Sequence, residues 1–236
     1  MQGFFSVPAS NVIIEQIIPK IDYTSALDPF STSKDVVEAC EVVKRYGFAT
    51  VCVYPTWVKL AKERMAGSKA GILVTVGFPH GSTTTEAKCA ETLQALKDGA
   101  TEIDMVINLA RLFDGDYDYV KNDIAAVVDV CRPYNVGVKV ILEVGYLTDE
   151  QKVKAAELSV EAGAAFVKTC TGFGPGRATL HDIALLKKVV GERAKVKASG
   201  GVASLEDQWA FLQEGASRVA GRGVILEQLN RIGYTK

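Results

Sequence analysis

Short runs rich in Val, Ile, Phe and Ala alternate with longer amphipathic stretches along nearly the whole chain, and this rhythm most restricts what it can fold into. The runs lie at 20–23, 50–54, 72–76, 102–107, 138–143, 165–169, 194–198 and 217–220. Helical periodicity fills the gaps, at 34–46, 56–65, 84–98, 118–131, 149–161, 180–190, 204–213 and 224–230. Near-continuous apolar runs suit parallel strands covered by helices. Several helical stretches end in glycine ahead of the next run, as in RYGFATVCV and KDGATEIDM, where a left-handed residue closes a helix. Eight such beats in about 210 residues predict an α/β fold, a closed (β/α)8 TIM barrel. An open doubly wound sheet is the rival, but no GxGxxG turn follows the first run. No linker or low-complexity stretch divides residues 1–236, so a single barrel domain is expected, with residues 1–18 as an N-terminal extension capping one end. Pro19 restricts the first run, because proline is tolerated only where a strand begins.

The charge balance narrows the function classes. The chain has 27 Lys+Arg against 28 Asp+Glu, a formal charge of -1. A face that binds nucleic acid usually needs a basic excess, so nucleic acid is not an expected partner. No apolar run approaches the roughly 18 residues of a membrane span, and the N-terminal segment lacks the basic start of a secretory signal. The five cysteines form no CxxC pair and lie among apolar neighbours, which suits free thiols in a reducing cytoplasm. His80 and His181 are far apart and have no HxxxH companion, so a zinc site is not expected. Any chemistry should come from lysines and carboxylates.

Those groups occur in an unusual place, inside the apolar runs. In Glu102-Ile-Asp-Met-Val-Ile-Asn108 the apolar Ile103, Met105 and Ile107 share one side and Asp104 lies on the other. Strand side chains alternate faces, so packing the apolar set on helices turns Asp104 into the barrel. By the same parity Lys168 sits near the end of its run, as does Lys197, while Lys139 shares a face with Ile141 and Glu143. Asp22 lies near the end of the first run. Burying such charges is costly unless they are paired or used. Asp104, Lys139, Lys168 and Lys197 are expected to converge at the C-terminal mouth, where active sites of this fold gather. One ammonium beside another favours loss of a proton, which makes an amine nucleophilic near neutral pH. A neighbouring carboxylate can then shuttle protons, and together these describe Schiff-base chemistry on a carbonyl.

Three loops at the presumed mouth are rich in glycine: Thr171-Gly-Phe-Gly-Pro-Gly-Arg177, Ser199-Gly-Gly201 and Ala220-Gly-Arg-Gly223. The last two follow the seventh and eighth runs, where phosphate sites often occur in barrels. Bare backbone N–H groups ahead of a helix can cradle an anion, and Arg177 or Arg222 could add charged hydrogen bonds. GFPHG at 77–81 reads as another mouth loop, with His80 a loop residue rather than a base.

The chain resembles the deoxyribose-phosphate aldolase family from about Lys20 to about Leu229. The resemblance is carried by KIDYT at 20–24, VCVYP at 51–55, VGFPHG at 76–81, GATEIDMVIN at 99–108, VKVILE at 138–143, AGAAFVKTCTGFG at 162–174 and VKASGGV at 196–202. It implies a class I aldolase that reversibly cleaves 2-deoxy-D-ribose 5-phosphate to D-glyceraldehyde 3-phosphate and acetaldehyde, without metal or organic cofactor. By motif match it implies Lys168 as the imine-forming lysine, Lys197 as the second lysine that lowers its pKa, Asp104 as the proton-transfer carboxylate and Asp22 as support for the relay. It also implies a phosphate cradle that includes Gly172, Gly200 and Gly201, which the loop chemistry extends to Gly221, Arg222 and Gly223. Family members are often homodimers, although the outer helices here show no clear extra apolar stripe.

Two segments depart from the family pattern. The usual IDHT and Leu-Lys-Pro read Ile21-Asp-Tyr-Thr24 and Leu27-Asp-Pro29. The usual strand-eight segment with paired serines reads Arg218-Val-Ala-Gly-Arg-Gly223. An aldolase of the same fold acting on another aldehyde or sugar phosphate is therefore the first alternative. A non-catalytic sugar-phosphate-binding barrel is the second.

Overall fold

The computed structural model describes residues 11–234. Eight strands pair in parallel, each with its sequence neighbours, and β1 (Ile21–Tyr23) pairs with β8 (Arg218–Gly221) to close the barrel. Between them run β2 (Thr50–Val53), β3 (Gly71–Val76), β4 (Glu102–Val106), β5 (Val138–Ile141), β6 (Phe166–Lys168) and β7 (Lys195–Ala198). The strands are short, and their outward residues (Val51, Val53, Ile103, Met105, Val140, Val167 and Val196 among them) are buried against a layer of helices. This is the (β/α)8 barrel expected from the eight-beat rhythm.

The helices are α1 (Asn11–Ile17), α2 (Ser33–Tyr46), α3 (Val58–Arg64), α4 (Thr85–Asp98), α5 (Leu109–Phe113), α6 (Tyr117–Cys131), α7 (Asp149–Glu161), α8 (Leu180–Val190), α9 (Leu205–Gln213) and α10 (Gly223–Arg231). Helix α2 opens with a Thr32–Asp35 capping box and closes at Gly47, whose φ of 75° is the left-handed conformation glycine adopts freely. Gly99 ends α4 in the same way. The five-residue α5 has no counterpart in the periodicity of the chain, since it is shorter than two helical turns. Its start is set by Asn108, whose side chain accepts the Arg111 N–H.

At the N-terminus the first strand is shorter by one residue than its run, and the expected cap is described only in part. Pro19 lies just ahead of the first strand, in a 3-10 turn, Ile18–Lys20, at a position that needs no N–H, and β1 starts at Ile21, one residue later than the run. Of the expected cap at 1–18, residues 1–10 lie outside the described residues. Helix α1 packs against α9, with Ile14, Ile17 and Ile18 buried.

Candidate active site

The parallel register sets the order of charges inside the barrel. Asp104 of β4 is opposite Lys139 of β5, and Lys168 of β6 is opposite Lys197 of β7. Asp22 of β1 is opposite Thr50 of β2. In-register residues of parallel neighbours point to the same face, so all of these side chains enter the barrel interior. Each is at most 2% exposed, which means their charges are compensated by one another rather than by solvent.

Asp104 is the hub. Its Oδ2 accepts from Lys168 Nζ at 2.6 Å and from Lys197 Nζ at 3.0 Å. Lys197 also pairs with Asp22 Oδ2 at 2.7 Å. Asp22 Oδ1 accepts in turn from the Thr50 hydroxyl at 2.7 Å and from Arg218 Nη1. Asp104, Lys168 and Lys197, which strand parity turned to one face, thus meet in the structure, and Asp22 joins them from β1.

The two lysines are driven in opposite directions. Burial pushes the Lys168 ammonium below the usual lysine range; Asp104 opposes this, and Lys197 adds to it. Burial acts on Lys197 too, but Asp104 and Asp22 outweigh it and hold Lys197 above the usual range. The cationic form is thus favoured at Lys197 and disfavoured at Lys168. Burial would raise the Asp22 carboxyl, but Lys197, Lys139 and Arg218 bring it down from 3.8 to about 2. Asp104 is likewise lowered, with Lys168 and Lys197 overcoming burial.

Lys139 corrects the expectation of four charges at the mouth. Its Nζ pairs with Glu102 and lies 3.8 Å from Asp104 Oδ1, beside Thr101 and Gly137 at the opposite end of the barrel. Glu102 and Arg218 complete that lower layer, with Arg218 Nη2 donating to Glu102 Oε1 at 2.6 Å. Neither residue stood out as a site residue in the sequence, although both share the inward parity of their strands.

The glycine-rich loops do follow the C-terminal ends of β6, β7 and β8. Gly172, Gly200 and Gly201 have φ of 89°, 89° and 67°, conformations strained for any side chain. A Cβ at Gly200 would lie 2.6 Å from Cys170 Cβ, and one at Gly201 would lie 2.6 Å from Arg177 Cβ, so the β6 and β7 loops interlock. Gly221 has a packing role: its carbonyl accepts from Thr24 N and Oγ1, and a Cβ would strike Ile21. Arg222 caps α10 without a side-chain capping bond, and its Nη2 lies 3.2 Å from Asp28 Oδ1. A Cβ at Gly223 would meet nothing within 4 Å. His80 is exposed on its loop.

The DeoC/LacD family aldolase model matches residues 16–227. The chain belongs to that family. Among DeoC/LacD relatives, the deoxyribose-phosphate aldolase of Caldanaerobacter subterraneus subsp. tengcongensis is 49% identical over 220 residues, covering 92% of this chain and 95% of that one. The deoxyribose-phosphate aldolase of Thermococcus gammatolerans is 51% identical over 201 residues, covering 84% and 89%. Among solved DeoC/LacD-like structures, a putative deoxyribose-phosphate aldolase from Coccidioides immitis superposes with a TM-score of 0.87 at 34% identity, covering 95% and 88%. No helix among the described residues is long and apolar enough to cross a membrane.

Proposed function

We propose that the protein is a class I aldolase that reversibly cleaves 2-deoxy-D-ribose 5-phosphate into D-glyceraldehyde 3-phosphate and acetaldehyde, through an imine on Lys168. The observation that carries this reading is the pair of lysines on one carboxylate oxygen, with Lys168 below and Lys197 above the usual lysine range.

The chemistry follows from that arrangement. Neutral Lys168 Nζ attacks the aldehyde carbon of the open-chain sugar, and the carbinolamine loses water to give a protonated imine. Removing the proton from the hydroxyl at C3 lets the C2–C3 bond break, with its electrons flowing into the imine. Glyceraldehyde 3-phosphate leaves, and an enamine of acetaldehyde stays on Lys168. A proton delivered to C2 and hydrolysis of the imine release acetaldehyde. Asp104 is the carboxylate beside Lys168 that can hold and return these protons, and its Oδ1 has no hydrogen bond within the protein. Asp22 anchors Lys197, which keeps its charge through the cycle.

The phosphate is assigned to the loops beyond β6, β7 and β8, at Gly172, Gly200, Gly201, Gly221, Arg222 and Gly223. The uncapped start of α10 supports this, since its first N–H groups have no side-chain partner and favour an anion. An aldolase on the same barrel with a different aldehyde or sugar phosphate is the second reading, favoured by the Arg222–Asp28 pair where the family pattern has serines and a lysine. The five free thiols support a reducing cytoplasmic setting, and a homodimer follows from the family resemblance; sedimentation of the full chain checks the latter.

One experiment tests the assignment. The protein is incubated with deoxyribose 5-phosphate and borohydride, and the adduct is located by peptide mass, while cleavage is compared with that of deoxyribose. A two-carbon adduct on Lys168, lost in Lys168→Arg, and strong preference for the phosphorylated sugar are expected. An adduct on Lys197 instead, or none, would overturn the imine assignment; equal cleavage of both sugars would overturn the phosphate assignment.

A further inference from the structure

Seven charged side chains from β1, β4, β5, β6, β7 and β8 form one ion-pair network inside the barrel, and six of them close into a ring. Asp104 faces Lys139 at 3.8 Å, and Lys139 pairs with Glu102. Glu102 is joined to Arg218 at 2.6 Å, Arg218 to Asp22, Asp22 to Lys197 at 2.7 Å, and Lys197 back to Asp104 at 3.0 Å. The sign alternates at every step, so three carboxylates meet three cations and the ring is neutral. Lys168, bonded to Asp104 at 2.6 Å, is the seventh charge and the surplus one.

Few other titratable groups face this network. Cys52 of β2 lies beside it, and burial pushes that thiol up to about 12, so it stays neutral. Lys195 of β7 lies at the N-terminal floor with its ammonium over the Phe166 ring, 5.6 Å from the centroid, and is exposed to solvent, which screens it. The buried set therefore has one cation too many whenever Lys168 is protonated. A buried net charge is far more costly than a paired one, so the set as a whole favours loss of that proton.

We infer that Arg218 and Glu102, at the floor of the barrel, are positioning residues for catalysis: by closing a neutral ring they leave Lys168 as the one cation whose deprotonation neutralises the buried set. This rests on the reading of Lys168 as the imine-forming residue. Arg218 touches neither Lys168 nor the mouth. It acts through Asp22 and Lys197, and Glu102 acts through Lys139. Their side chains are 17% and 23% exposed, so solvent screens them only in part.

The inference makes signed predictions that a merely structural role does not. The readout is the pH midpoint for capture of the substrate imine on Lys168 by borohydride, measured in the full chain. Arg218→Gln leaves the ring with an excess negative charge, so Lys168 keeps its proton longer and the midpoint rises, by about one pH unit or more. Glu102→Gln leaves an excess positive charge, and the midpoint falls by a smaller amount because Glu102 is the more exposed of the two. The double variant Arg218→Gln with Glu102→Gln is neutral again, so its midpoint returns most of the way to wild type even if its rate does not. Arg218→Lys keeps the charge and holds the midpoint. If Arg218→Gln fails to fold, Glu102→Gln and the double variant still carry opposite expectations. Midpoints that stay fixed in the single variants, or move in the same direction, would overturn the inference while a Lys168 adduct persists. No adduct on Lys168 in the wild-type protein would instead overturn the imine reading, and this inference with it.

Discussion

Lys168 and Lys197, opposite one another on adjacent strands, share a single carboxylate oxygen, with both ammonium nitrogens within 3.0 Å of Asp104 Oδ2. Two like charges held that close on one acceptor cannot be equally stable. The asymmetry is settled by Asp22, which gives Lys197 a second carboxylate and leaves Lys168 with only one.

Replacing Lys197 should therefore affect chemistry more than binding. In Lys197→Met the neighbouring cation disappears while Asp104 remains, so the pKa of Lys168 rises and the pH–rate profile moves to higher pH. A fall in kcat of about 10²-fold or more with a smaller change in KM is expected, as for loss of a group that acts in the transition state. An unmoved profile would show that Lys197 does not tune its neighbour.

Arg222 is held by Asp28 at 3.2 Å, a contact between the two segments that depart from the family pattern. Arg222→Ala should weaken turnover of deoxyribose 5-phosphate and leave deoxyribose unchanged. Asp28→Ala should do the opposite to the phosphorylated substrate, lowering its KM, because the guanidinium no longer has a competing carboxylate. Steady-state kinetics on the two sugars separates these outcomes; equal effects on both would place Arg222 outside the phosphate site.

Gly201 offers a structural test of the cradle. Its φ of 67° and a virtual Cβ 2.6 Å from Arg177 Cβ make alanine unfavourable there twice over. Gly201→Ala should cost more than about 1 kcal/mol of stability. It should also raise KM for the phosphorylated sugar, because the β6 and β7 loops have to move apart. Urea unfolding and kinetics on the same sample check both parts.

The two central aspartates predict the acid limit of the fold. Both carboxyls are lowered by their cationic neighbours, Asp22 from 3.8 to about 2. A lowered folded-state pKa contributes stability that is present above the unfolded value and lost as pH falls through the folded one. For Asp22 this contribution is on the order of 2 kcal/mol. The urea midpoint should hold down to about pH 4 and drop between there and about pH 2. Asp22→Asn should be less stable at neutral pH and flatter across that window.

Much of this site was legible from two-residue periodicity. Ile103, Met105 and Ile107 on the helix side of β4 required Asp104 inside, and similar parity placed Lys168 and Lys197. Parity states which face a residue takes but not its height in the barrel. Height depends on the stagger between strands and on where a long flexible side chain finds its partner. Lys139 was for that reason expected at the mouth, whereas its ammonium reaches down to Glu102. The ion pairs of Arg218 and Asp28 were not legible, although both residues stood in segments that depart from the family pattern. Their partners Asp22 and Arg222 are nearly the full chain length away, and only barrel closure brings them together. The loop glycines were visible as a pattern, but one pattern covered two roles: Gly201 sits where loops interlock, and Gly221 relieves crowding against Ile21.

The β1–β8 pairing has a consequence for how the molecule comes into being. Asp22 is made 196 residues before Arg218, and the seam that joins them also seats Thr24 on the Gly221 carbonyl. A nascent chain whose eighth strand is still inside the ribosome holds Lys168 and Lys197 but not the residue that clasps Asp22. The ion-pair ring therefore closes only once the eighth strand has emerged.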